Sequence, residues 1–202
     1  MSIIKCPNEL SCPKTDWKVF LMGPIQGAPE WQFTLPELNG VTYLSPRRES
    51  YPVPNFNYTE QVDWETTAIN MADILFVWIP EEAEHIEGRD YAQTTRFEVG
   101  ENLAKGKKMI IGIHNNFAGR KYFQYKAERY KNVVGNTVYS TFEECIEALK
   151  KCTSTVKFDF SGVDEATMKM RLNSRGYKMS FLNSISYDNL KNLYNYCESH
   201  MI

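Results

Sequence analysis

Two apolar runs, DILFVWIP at 73–80 and MIIGI at 109–113, set the strongest constraint on how this chain folds. Each has the length of a strand and neither alternates with polar residues, so each needs cover on both faces. Strands of that kind sit in the middle of a parallel sheet with helices packed above and below. The stretch between them, TTRFEVGENLAKGKK from Thr94 to Lys108, reads as an amphipathic helix closed by a basic end. A strand, a helix and a second strand in that order make one parallel crossover unit.

The same alternation extends in both directions. WKVFLMGP is a short apolar strand from about Trp17 to Met22, broken by Gly23 and Pro24. PEWQFTLPELNG then reads as a short helix and VTYL as a second strand. SPRRESYPVPNFN is a long Pro-rich loop of the kind that often carries function. YTEQVDWETTAINMA is helical, and the acidic segment EEAEHIEGRDYAQ separates the first apolar run from the Thr94 helix. Downstream, KYFQYKAERY reads as a helix, VVGNTVY as a strand, and STFEECIEALKKC as an amphipathic helix capped by Ser140 or Thr141.

The expected fold is therefore α/β: a Rossmann-like or flavodoxin-like, mostly parallel five-stranded sheet with helices on both faces, plus a C-terminal helical appendage. Expected boundaries are a polar, Pro-containing leader at 1–16, the α/β domain at 17–152, and the appendage at 153–202. Within the last, VKFDF reads as a weak extended piece, followed by two helices around MKMRLNSRGYKM and SYDNLKNLYNYC.

Charge and composition narrow the partners. A net charge of -2 lacks the basic excess that a nucleic acid polymer requires, although a local patch could still hold one small anion. No run approaches the roughly 18 apolar residues of a membrane span, and MSIIKCPNEL has no basic segment leading into an apolar one, so a cytoplasmic protein with no membrane contact is expected. The five cysteines contain no CxxC pair, and the three histidines have neither HxH nor HExxH spacing. No metal and no cofactor are expected.

In a parallel sheet ligands bind beyond the carboxyl ends of the strands, which singles out the loops beginning at Gly23, Ser45, Pro80 and His114. GPIQGAPEW has two glycines that let the backbone approach a ligand, with a helix start expected behind it that could hold an anion. It is neither GxGxxG nor a P-loop, and ordinary turn chemistry accounts for it equally well. Glu98 allows two readings from position alone. TRFE matches [ST]-x-x-E, which would make Thr95 an N-cap and Glu98 its reciprocal capping-box partner. The same place suits a catalytic nucleophile, since the positive helix end favours an ionised carboxylate.

KVFLMGPI, VDWETTAINMADILFVWIP and TTRFEVGENLAKGKKMIIGI, in that order, resemble the nucleoside 2-deoxyribosyltransferase family, particularly its deoxyribosyltransferase-like branch, over roughly Trp17 to Lys151. The resemblance implies that Glu98 is the nucleophile attacking the anomeric carbon of a nucleoside. It also implies a small-molecule nucleoside or nucleotide substrate, contacts from Gly23, Pro24 and Ile25, and a homo-oligomer, dimer or tetramer. A second acid must protonate the departing base, with Glu65, Asp73 and Asp90 as candidates. Glu65 stands eight positions before Asp73, the spacing of the acid that meets the base in that family. Asp73 reads as support, capping or positioning the start of its strand and able to pair with Arg96 across the site.

Where the family carries an aspartate six residues before the nucleophile this chain has Ala92, with Asp90 nearby as a substitute. No counterpart of the family's intersubunit asparagine is visible around Tyr122 to Gln124. Arg47 and Arg48 read ordinarily as solvated surface cations, and functionally as a phosphate clamp for a nucleoside 5'-monophosphate, as in the hydrolase relatives. Arg96, in the first turn of its helix, reads in the same two ways. Trp64, with Trp31 and Trp78, could give a base a stacking face, although such residues are more often core. Two other functions fit these residues: a non-catalytic nucleotide sensor and an NAD glycohydrolase.

Overall fold

The computed structural model describes residues 2–49, 53, 55–154 and 163–199. They divide into two compact units, 1–154 and 155–202. The first unit holds six strands: β1 (Ser2–Lys5), β2 (Trp17–Met22), β3 (Val41–Ser45), β4 (Ile74–Ile79), β5 (Met109–Ile113) and β6 (Val133–Tyr139). Between and after them come α1 (Tyr58–Met71), α2 (Gln93–Ala104), α3 (Arg120–Ala127) and α4 (Phe142–Thr153). All pairings are parallel and the strand order is β1-β3-β2-β4-β5-β6. From β2 onward this is the flavodoxin-like order, whose switch point lies between β2 and β4.

Side-chain alternation explains the unbroken apolar runs. Leu75, Val77 and Ile79 of β4 enter a core covered by Trp64 and Ala68 of α1, Val99 and Leu103 of α2 and Ala127 of α3. Ile74, Phe76 and Trp78 enter a second core on the opposite face, against Cys145, Ile146 and Leu149 of α4. Neither face meets water, so no polar position is left in the strand. Gly112 is needed for the second core, because a Cβ there would stand 2.2 Å from Cys145 Sγ and 2.7 Å from the Trp78 ring.

Several expectations from the sequence need correction. The sheet has six strands rather than five, because Ser2–Lys5 in the supposed leader pairs with β3, Ile3↔Tyr43 and Ile4↔Leu44. At four residues it is too short to show a periodicity against its polar surroundings. PEWQFTLPELNG forms only a single 3-10 turn at Trp31–Phe33, since Pro29 and Pro36 bracket it and can donate no hydrogen bond. The Gly23 loop therefore has no α-helix start behind it, and Trp31 and Leu35 from this connection cover the second face instead. At α4, Thr141 rather than Ser140 is the N-cap, in a reciprocal capping box with Glu144.

The second unit contains three helical segments rather than two: α5 (Glu165–Ser174), α6 (Met179–Leu182) and α7 (Tyr187–Ser199). They close on a small core of Met168, Leu172, Leu182, Leu190 and Tyr194. Arg171 Nη1 donates to the Tyr194 hydroxyl at 2.6 Å. The extended piece expected at VKFDF lies outside the described residues. No helix among the described residues is long and apolar enough to cross a membrane.

Candidate active site

At the switch point, beyond the carboxyl ends of β2, β3 and β4, lies a cavity of about 490 Å³. Its walls come from five segments: the loop after β2, the loop after β3, one face of α1, the first turns of α2, and the loop leading from β4 into α2. The first and last of these are tied together. Gly27, at φ +71, accepts from Ala83 N at 2.7 Å, and Arg89 donates to Gln26. Gly23 sits where a Cβ would meet the Trp78 carbonyl oxygen at 2.2 Å, so the loop runs against the strand without space for a side chain.

Glu98, Glu65, Asp90, Gly23, Pro24, Ile25 and Arg47 all line this cavity. Trp64, Asp73 and Arg96 do not. Trp64 is core, with its indole N–H on the Asn8 carbonyl at 2.7 Å. Trp31 and Trp78 are also core: Trp31 stacks on Phe76 and meets Phe142 edge to face, and Trp78 packs tilted against Phe142. Asp73 lies at the opposite rim, where its Oδ2 accepts from Lys18 N and its own N donates to Lys18 O, both at 2.8 Å. It clips the amino ends of β2 and β4 together. Arg96 stacks on the Phe117 ring at 4.9 Å, beyond the end of β5, so the expected pairing of Asp73 with Arg96 is absent. The cavity also takes in residues that the sequence did not single out, among them Gln61, Tyr91, Phe56 and Tyr58. Phe56 and Tyr58 meet edge to face at 6.4 Å and are both exposed, which makes them the aromatic surface nearest the opening.

The start of α2 differs from the capping box that TRFE suggests. The helix begins two residues earlier, at Gln93, its N-cap is Ala92 at φ 57 and ψ 27, and no side chain caps it. Thr95 is thus a buried helical residue and Glu98 stands in the second turn. Dipole effects fade within the first turn, so the helix end does little for this carboxylate. Burial dominates. It pushes the Glu98 carboxyl up to about 8, with the neighbouring charges of Glu65 and Glu101 adding to the shift. Among the described residues nothing donates a hydrogen bond to its oxygens.

Glu65 is raised as well, mainly by burial, while a hydrogen bond from Gln61 Nε2 at 2.8 Å acts against the shift. Two coupled carboxyls of this kind lose their protons in two steps that belong to the pair. Both are raised, so one can keep its proton while the other is ionised. One acid and one carboxylate in a half-closed cavity can donate a proton and attack a carbon in the same event.

The arginines are partly engaged. Arg48 donates from Nε to Gln61 Oε1 at 2.9 Å and from Nη2 to Glu60 at 2.6 Å. Arg47 is 7% exposed, donates from Nη2 to Glu30 at 2.5 Å, and has no partner for Nη1 among the described residues. No cluster of three or more metal-ligating side chains occurs among the described residues.

Comparison with known proteins gives one family. No curated protein matches the chain. The profile of the family described as nucleoside 2-deoxyribosyltransferase like matches residues 16–117, which run from just before β2 to just past β5 and contain every wall of the cavity. That is just over half of the 202 residues, and the chain belongs to the nucleoside 2-deoxyribosyltransferase-like family.

Proposed function

We propose that the protein breaks or transfers the N-glycosidic bond of a nucleoside through a covalent bond between the sugar and Glu98. The observation that supports this most is the Glu98 carboxyl itself: half-buried, unbonded among the described residues, in the cavity wall and raised by the neighbouring charge of Glu65. In the first step a Glu98 oxygen attacks the anomeric carbon. The carbon–nitrogen bond breaks, its electron pair leaves with the base, and the base takes a proton from Glu65. In the second step water or another base attacks the same carbon, the bond to Glu98 breaks, and the proton returns to Glu65.

The scheme needs one proton on the pair, which it consumes and regenerates. Positive charge developing at the anomeric carbon stabilises Glu98 as the anion and leaves the proton to Glu65. A cavity of about 490 Å³ suits a molecule of nucleoside size. Intact-mass measurement with a slow 2-fluoro-sugar nucleoside tests the reading. The wild-type chain gains the mass of the sugar and Glu98→Ala does not. An unlabelled wild type, together with undiminished base release by Glu98→Ala, overturns it.

One observation favours a phosphorylated substrate. Arg47 Nη1 is a buried donor without a partner among the described residues, and Arg47 lines the same cavity as Glu98 and Glu65. A 5'-phosphate would give it an acceptor. If so, a deoxynucleoside 5'-monophosphate is cleaved with a lower KM than the deoxynucleoside, and Arg47→Ala erases that difference. Equal KM values for the two assign Arg47 to Glu30 alone.

A further inference from the structure

We propose that Gln61 is the residue that positions Glu65 as proton donor to the departing base, with Arg48 and Cys6 fixing the orientation of the Gln61 amide. This rests on the glycosidic reading given above. Gln61 lies on α1, one helical turn before Glu65, and is buried. Its oxygen accepts from Arg48 Nε at 2.9 Å and from Cys6 Sγ at 3.1 Å. Its nitrogen donates to the Pro46 carbonyl and to Glu65 Oε1, both at 2.8 Å.

Two donors on the oxygen and two acceptors on the nitrogen leave the amide one orientation, because a flip would set N–H groups against N–H and S–H, and oxygen against oxygen. Glu65 Oε1 is therefore always the accepting oxygen. Oε2 is left to carry the proton, and Glu65 itself lines the cavity. A carboxyl held only by its own rotamers would divide its time among several orientations. One held at Oε1 by a locked amide keeps Oε2 in a single place, which is what proton transfer to a bound base requires.

Three segments remote in sequence converge on this amide: the turn after β1, the loop after β3, and α1. The Glu65 charge bears on Glu98 of α2 and on Cys6, and Cys6 in turn meets Arg48 and Glu60. Cys6, pushed up to about 11 mainly by burial, stays a thiol and so remains a donor at neutral pH. The Gln61 hydrogen bond lowers the Glu65 pKa against the effect of burial, so losing it moves Glu65 upward.

The test compares two leaving groups. 2'-Deoxyadenosine needs its base protonated, whereas N7-methyl-2'-deoxyguanosine already carries a cationic base that departs without a proton. In Gln61→Leu, kcat on deoxyadenosine is expected to fall about 10- to 100-fold with KM nearly unchanged, while the methylated substrate loses less than about threefold. The acid limb of the deoxyadenosine pH profile moves to higher pH. Gln61→Glu, which keeps an acceptor for Arg48 but cannot donate to Glu65 when ionised, gives the same pattern and guards against misfolding of the leucine variant. Equal losses on both substrates, or no loss on either, overturn the proposal. A wild type that releases no base from either substrate overturns the glycosidic reading. The contact itself is tested apart from activity by carbon NMR of the Glu65 carboxyl, whose titration midpoint rises in both variants. A midpoint that stays in place rejects Gln61 as its partner.

Discussion

The two rims of the sheet treat their carboxylates in opposite ways. At the amino rim Asp73 is bonded to Lys18 in both directions, and nearby Lys107 Nζ donates to the Ile69 and Asn70 carbonyls at the end of α1. At the carboxyl rim Glu98 has no donor among the described residues, Arg47 Nη1 has no acceptor, and Ala92 stands in the left-handed region. Unmade bonds at buried groups lower stability, so they persist where something other than stability holds them. On the proposed function, the amino rim closes the fold and the carboxyl rim receives the ligand.

The sharpest way to break this comparison is to remove one carboxylate from each rim. Glu98→Gln is expected to cut base release about a thousandfold or more while leaving the fold intact. Asp73→Ala should cost about 2 kcal/mol, the worth of a charged hydrogen bond that ties two strand ends, and leave the rate per folded molecule unchanged. Base release and urea denaturation on both variants decide it. A large loss of activity in stable Asp73→Ala would return that residue to the site.

Second in size is a change that makes the carboxyl rim more crowded. Gly23→Ala puts a Cβ 2.2 Å from the Trp78 carbonyl oxygen and 2.7 Å from the Trp31 ring, and the first of these is backbone that cannot swing away. A loss of about 2–3 kcal/mol is expected, with weaker substrate binding as the loop shifts. Denaturation midpoint and KM report the two effects. If neither changes, the loop is looser than this packing implies.

What the sequence revealed and what it hid follow the same division. Ile74–Ile79 and Met109–Ile113 were legible because cover on both faces leaves a local trace, an apolar run with no polar break. β1 left none, since four residues at an edge carry too little pattern. Asp73 and Glu98 are both acidic residues beside apolar ones, and their opposite roles depend on which end of the sheet each meets. Gln61 was invisible for a stronger reason: three of its four partners come from 13, 15 and 55 positions away, and a glutamine in a helix has no local signature of them. TRFE misled because it fits a capping pattern while the helix begins two residues before it.

The pH dependence of stability separates the rims by a smaller margin. Glu98 holds its proton up to about pH 8 in the folded protein and only to the ordinary glutamate value of 4.5 when unfolded. Its favourable contribution is thus complete below about pH 4.5 and is lost progressively as pH rises to 8. Glu98→Gln, which has no proton to lose, should match the wild type near pH 4 and exceed it by at least about 1 kcal/mol at pH 8–9. Thermal melting across this range reads the difference. A gap that is constant with pH would mean that Glu98 is far better solvated than its burial implies.

The smallest effect expected lies at Ala92. An alanine at φ 57 and ψ 27 crowds its Cβ against backbone, a strain that glycine lacks. Glycine also gives the unfolded chain more freedom, which offsets part of the relief. Ala92→Gly should therefore stabilise by only about 0.5 kcal/mol, seen as a small rise in Tm. The sign carries the argument. A gain means that the start of α2 is held in a costly conformation by the cavity loops, as a ligand-receiving rim allows. A loss means that the Ala92 methyl, which is buried, contributes more packing than the backbone strain takes away, and the two rims then differ in their unpaired polar groups alone.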